Sequence, residues 1–210
     1  MGKDSFLDTN VIVNYAHYKE DQSIEIIKRC YSYITNKSEK FIICYAVFNE
    51  LFKVIEKLSI IHKNVLAKVE NNNHPIEKNR SLSEQDISFA EKLYLTHKQI
   101  ELKKLSEIFA SEREIFEIKI EQFLKYQLDE RVIPIKDIKI ELVNIIWEMI
   151  SNYADCRILT SAIQAQQERD IFYFVTADKH FDLNDYDFIK EDLRFKEYKF
   201  PELNNLLYNN

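Results

Sequence analysis

Phe6-Leu7-Asp8-Thr9-Asn10 is the stretch whose reading decides the fold. Lys3 to Leu7 reads as a short buried strand, and the chain turns polar at Asp8 before a second apolar run opens at Val11. An acid where a strand gives way to a helix sits at the C-terminal edge of a sheet, where open α/β folds gather their ligands. By itself, such an Asp is also the ordinary cap of the helix that follows. Its weight therefore depends on whether other acids recur at matching places.

Length and composition set the outer limits. A chain of 210 residues, nearly half of them hydrophobic, can bury one sizeable core or one core with an appended subdomain. A formal charge of −6 argues against a protein that grips nucleic acid through a broadly basic surface. A phosphate-bearing substrate would then need a metal ion or a local basic patch. Cys30, Cys44 and Cys156 are widely spaced and odd in number, so they make neither a disulfide framework nor a zinc motif. No apolar run approaches the roughly 20 residues that span a bilayer, and the N-terminus lacks a signal-peptide layout. The expectation is a cytoplasmic protein with no membrane partner.

Val11 to Tyr18 can form a short helix, and Asp21 can cap a second over Gln22 to Ile34, whose apolar residues Ile24, Ile27, Tyr31 and Ile34 follow a helical stripe. After the polar turn Asn36 to Lys40 comes Phe41-Ile42-Ile43-Cys44-Tyr45, an apolar run of strand length. The helical stretch Ala46 to Leu58 follows at once and carries Glu50 in its first turns, repeating the geometry around Asp8. Alone, Glu50 also reads as an exposed charge favoured by the helix dipole.

From Ile60 to about Glu130 the character changes. Ile60 to Val69 is helical, Asn71 to Pro75 is the clearest loop, and Ser81 and Glu84 have capping-box spacing. Helix then runs toward Leu128 without Gly or Pro, with a main stripe of Leu102, Leu105, Phe109, Phe116, Ile120 and Phe123 and a second of Ile108, Ile115 and Ile118. Unbroken, it would reach on the order of 60 Å, so a break is expected near Thr96 to Lys98 or at Ser111. The domain reading is residues 1–58 with 131–210, interrupted by a mostly helical insertion at 59–130.

Arg131 to Ile135 reads as a strand, and Asp137 as the cap of a helix buried through Ile138, Leu142, Ile145, Ile146 and Met149. A new helix starts at Ala154 with Asp155 in its first turn. Asp170 precedes Ile171-Phe172-Tyr173-Phe174-Val175, the most convincing buried strand, which runs into Thr176-Ala177-Asp178-Lys179-His180-Phe181-Asp182. A final strand is expected near Glu197 to Phe200, then a short helix from Pro201 to Leu207. Trp147 and the other aromatics fall mostly on core stripes.

Asp8, Glu50, Asp155 and Asp178 thus share one setting. If the strands are parallel, as the strand and helix alternation implies, all four project from one end of a single sheet. Crowded carboxylates repel, so at neutral pH some would hold protons unless a cation neutralised them. Oxygen-only ligation favours Mg²⁺ or Mn²⁺, because neither His nor Cys recurs at these places. Such an ion suits phosphodiester hydrolysis.

These residues resemble the motifs of PIN-domain nucleases: Asp8-Thr9-Asn10 after a strand, Glu50 in the helix after the second strand, Asp155 ahead of Ile158-Leu159-Thr160-Ser161-Ala162, and Thr176-Ala177-Asp178 followed by Phe181. Order, spacing outside the insertion, and the closing Phe200-Pro201-Glu202-Leu203 fit as well. The resemblance covers roughly residues 3–58 and 130–207. It implies a PIN-like three-layer α/β fold, a central parallel sheet flanked by helices, and metal-dependent endoribonuclease activity with Asp8, Glu50, Asp155 and Asp178 as the catalytic, metal-binding acids. Many such proteins are toxins of toxin-antitoxin pairs, which would add an antitoxin protein as partner; a homodimer through the insertion is a further open expectation. The long insertion departs from compact toxins.

Asp182 reads either as a fifth, water-mediated ligand or as the cap before Leu183. Thr9, Asn10 and Thr176 can orient the acids by hydrogen bonds. The five histidines form no ligand pattern, and His180, near the acids, reads either as a phosphate contact or as an exposed helix or loop residue. The competing functions are a flap-type DNA nuclease on the same scaffold and a non-catalytic interaction protein working through the insertion. A haloacid-type phosphatase is disfavoured by Asn10, which stands where its second Asp belongs.

Overall fold

The computed structural model describes residues 4–20, 23–36, 40–76, 81–129, 138–169 and 171–208. The expected Asp21 cap, most of the turn before Phe41, the strand at Arg131 to Ile135, the Asp137 cap and Asp170 lie outside the described residues. The chain is an α/β protein with a four-stranded parallel sheet flanked by helices, eight of them α-helices among the described residues. It divides into two compact units, Met1–Leu51 with Lys119–Asn210, and Phe52–Ile118.

In the first unit the strands are β1 (Ser5–Leu7), β2 (Phe41–Ile42), β3 (Tyr173–Thr176) and β4 (Glu202–Asn205), ordered β2-β1-β3-β4. Phe6 pairs with Ile42 on one side and Phe174 on the other, and Thr176 pairs with Asn205. All three β1 residues are buried, as a parallel strand covered on both faces requires. The ladder continues one residue past β1, where the Asp8 N–H donates to the Val175 carbonyl at 2.9 Å. Asp8 thus stands at the last rung of the β1–β3 ladder.

Helices α1 (Thr9–Ala16), α2 (Glu25–Thr35), α6 (Ile140–Trp147), α7 (Tyr153–Arg169) and α8 (Leu183–Glu191) belong to this unit. From Ile158 to Ala165 every α7 residue is buried, so this helix is enclosed on all sides, with Thr160, Ser161 and Gln164 among its buried positions. Phe174 packs edge-on against Phe181 and stacks on Tyr186, whose hydroxyl donates to the Pro201 carbonyl at 2.6 Å. That bond fastens the loop leading into β4.

The second unit is helical. It contains most of α3 (Tyr45–Glu70), all of α4 (Glu84–His97) and the first part of α5 (Leu102–Tyr126). Ile61, Val65, Ile76, Leu82, Ala90, Leu105 and Phe109 form its buried cluster, and the His62 ring stacks on Phe109 at 4.2 Å. Lys57 pairs with Asp86 and Lys68 with Glu91.

Several expectations are corrected. Ala46 to Leu58 and Ile60 to Val69 are one helix, because neither Gly nor Pro stops α3 between them. The capping box belongs to Ser83 and Asp86, not Ser81 and Glu84; Leu82 and Ile87, which flank that cap as a hydrophobic staple does, both join the core. Of the two places expected for the helical break, Thr96 to Lys98 is the one observed, since α4 ends at His97, while Ser111 lies inside α5. Ile115 and Ile118 are exposed, so the second α5 stripe is not a buried one. Trp147 is 53% exposed, since Leu142, Val143 and Ile146 carry the buried side of α6 and the next position turns about 100° away. The last strand is Glu202–Asn205, not Glu197 to Phe200, and no helix follows Pro201 among the described residues. Phe200 is engaged by Tyr186 and Phe195, and the ladder starts just past Pro201, which has no N–H to donate.

Candidate metal centre

The chain passes from β1 to β2 on one side of the sheet and later returns as β3 on the other side of β1. The C-terminal ends of β1 and β3 therefore border the point where strand order reverses, the usual ligand crevice of an open parallel sheet. Asp8 leaves the end of β1, and Asp178 lies two residues past the end of β3. Glu50 is in the second turn of α3 and Asp155 in the first turn of α7.

Local chemistry holds each acid. Asp8 caps α1, its Oδ1 accepting from the Thr9 N–H at 2.6 Å, while its Oδ2 accepts from Thr176 Oγ1 at 2.7 Å. Thr9 Oγ1 donates to Glu50 Oε2 at 2.5 Å, and Asn10 Nδ2 donates to Asp178 Oδ2 at 2.8 Å. The Asp178 N–H in turn donates to Thr176 Oγ1 at 3.0 Å. Each of Thr9, Asn10 and Thr176 thus touches an acid of the set. Asp182 is engaged as the cap of α8, its Oδ1 accepting from the Asp185 N–H at 2.8 Å.

The electrostatics are those of too much negative charge in too little water. Burial pushes the Asp8 carboxyl up to about 8; the Thr176 bond opposes this, and Asp155, Glu50 and Asp178 add to it. Asp155 is pushed up to about 7, again chiefly by burial, then by Asp178 and Glu50. Its Oδ2 is buried and accepts no hydrogen bond among the described residues. A buried carboxylate oxygen without a partner is costly and calls for a proton or a cation. Hard oxygen donors, mutual repulsion and this orphaned atom together fit a divalent ion.

Two further residues join the acids, His180, which the sequence places near them, and Asn205, which it does not. His180 Nδ1 lies 3.2 Å from Asp178 Oδ1 and 3.4 Å from Asp155 Oδ2. Asn205, at the end of β4, donates through Nδ2 to the carbonyls of Asp178 and Phe181, both at 2.7 Å, fixing the loop that carries the acid. His180 had only its proximity to Asp178 to mark it, and Asn205 had no signal at all, being assigned to a helix. Comparison of the chain with models of known protein families, with curated proteins and with solved structures returned no match.

Proposed function

We propose that this chain is a divalent-metal-dependent nuclease of the PIN-like type, hydrolysing RNA phosphodiester bonds. The observation that carries the reading is the joint setting of Asp8 and Asp155: two buried carboxyls, each raised toward or above neutrality by burial and by the acids around it. Such a group is unfavourable without positive charge and becomes favourable with it. Asp8, Glu50, Asp155 and Asp178 would hold the ion. Mg²⁺ or Mn²⁺, when bound, polarises a phosphoryl oxygen and lowers the pKa of attacking water.

The chain's own residues supply position. Thr9, Asn10 and Thr176 fix the carboxylates of Glu50, Asp178 and Asp8, and the buried end of the sheet keeps bulk water from Asp8, which is 1% exposed. RNA as the substrate is supported by the motif resemblance around these acids. The ion also meets the difficulty set by the charge of −6, since it brings the positive charge a phosphate needs.

The test is cleavage of single-stranded RNA, structured RNA and flapped DNA by the purified chain with Mg²⁺, Mn²⁺ or EDTA. RNA cleavage that needs the ion and slows at least about 100-fold in Asp8→Asn is expected. Equal rates in parent and Asp8→Asn would refute the assignment, and cleavage of flapped DNA alone would move the substrate class to DNA.

A further inference from the structure

We infer that His180 supplies a nitrogen donor to the ion held by Asp155 and Asp178, so that this centre takes Mn²⁺ in preference to Mg²⁺. The inference rests on the metal-dependent reading above and deepens it. The three donor atoms, one from each residue, lie within 4.8 Å of one another. Two neighbouring ligands at right angles on an octahedral ion, each about 2.1 Å from it, stand about 3.0 Å apart. The Nδ1 separations of 3.2 Å and 3.4 Å from the two carboxylate oxygens are close to that spacing.

An independent observation points the same way. Asp155 is 6% exposed, and the oxygen nearest His180 is the one that accepts no hydrogen bond among the described residues. At 3.4 Å the imidazole does not meet that need directly, whereas an ion between the two groups would. The loop is built to hold the ring there: the His180 N–H donates to Asp178 Oδ1 at 2.9 Å, and Asn205 secures the Asp178 carbonyl. Half of the His180 side chain stays open to solvent, so a bare ion pair with these acids would be worth little.

Donor chemistry then sets the preference. Mg²⁺ favours oxygen and water, whereas an imidazole among carboxylates suits first-row transition ions, with Mn²⁺ the weakest-held of that series and Co²⁺ tighter. The inference is tested on the full chain by calorimetric titration with Mn²⁺ and Mg²⁺ and by pulsed EPR of the Mn²⁺ form, comparing the parent with His180→Gln. Nitrogen modulation on Mn²⁺ should be present in the parent and lost in His180→Gln. Mn²⁺ affinity should fall about tenfold, with Mg²⁺ affinity changing less than about twofold. Mn²⁺ binding without nitrogen modulation, and with the same affinity in His180→Gln, would overturn the role of His180 and leave the nuclease reading standing. No binding of either ion at millimolar concentration would overturn both.

Discussion

The hydroxyl of Thr176, the last residue of β3, donates to the carboxylate of Asp8, the first residue past β1, across 2.7 Å. The same oxygen accepts from the Asp178 N–H at 3.0 Å, so one buried hydroxyl sets the positions of two acids.

Thr176→Val keeps the shape of that side chain and removes both bonds. Stability should fall by about 1 to 3 kcal/mol, because a buried carboxyl oxygen and a backbone N–H lose their partner. The urea midpoint measures this, with Thr176→Ser recovering most of the loss. An unchanged midpoint in Thr176→Val would mean that the hydroxyl does not hold these groups in solution.

The raised carboxyls predict an unusual pH dependence for the metal-free protein. Asp8 moves from 3.8 to about 8, so between those values the folded chain keeps a proton that the unfolded chain has released. Stability must then fall as pH rises through that window and level off above it, with Asp155 acting in the same sense up to about 7. Each retained proton contributes about 1.4 kcal/mol per pH unit in EDTA, so the slope should be steeper below pH 7, where both are held, than between 7 and 8. Saturating Mn²⁺ should flatten it, since the ion replaces the protons. Urea unfolding from pH 5 to 8 checks both.

Asn205→Ala should destabilise the chain by about 2 kcal/mol, since it strips the Nδ2 donor from two carbonyls and the Oδ1 acceptor from the Leu207 N–H. Asn205→Asp retains size but not the donor, and should do no better. If Asn205→Asp unfolds at the parent's midpoint, the loop from Asp178 to Phe181 is held by something else.

Phe109 is 2% exposed in the core of the helical unit. Phe109→Ala should cost about 3 to 5 kcal/mol there. Amide exchange in α4 reports it directly, and exchange as slow as the parent's would show that the cavity collapses without penalty.

Much of the parallel frame was legible because buried parallel strands announce themselves as short apolar runs, as at Phe6-Leu7 and Phe174-Val175. The positions of Asp8 and Asp178 followed from the ends of those runs. β4 was misread because Glu202-Leu203-Asn204-Asn205 lies at the sheet edge, where backbone pairing to β3 defines the strand and side-chain burial says little. The continuity of α3 carries no local mark, since Leu58-Ser59-Ile60 contains nothing that ends a helix and nothing that signals its length. The nearness of His180 to Asp178 is legible along the chain, but its closeness to Asp155 on α7 exists only once the sheet is assembled, and no local pattern encodes it.

The pairing of β1 with β3 joins residues whose positions differ by 168 along the chain, Ser5 with Tyr173 and Leu7 with Val175. During synthesis, Asp8 therefore emerges long before Thr176, Asp178 or Asn205 exists to meet it. A polypeptide halted short of residue 173 lacks two strands of the sheet and one acid of the set, and contacts of such long range form late and slowly. The acids can therefore converge only after the stretch through Asn205 has been made, which ties assembly of this centre to completion of the sheet.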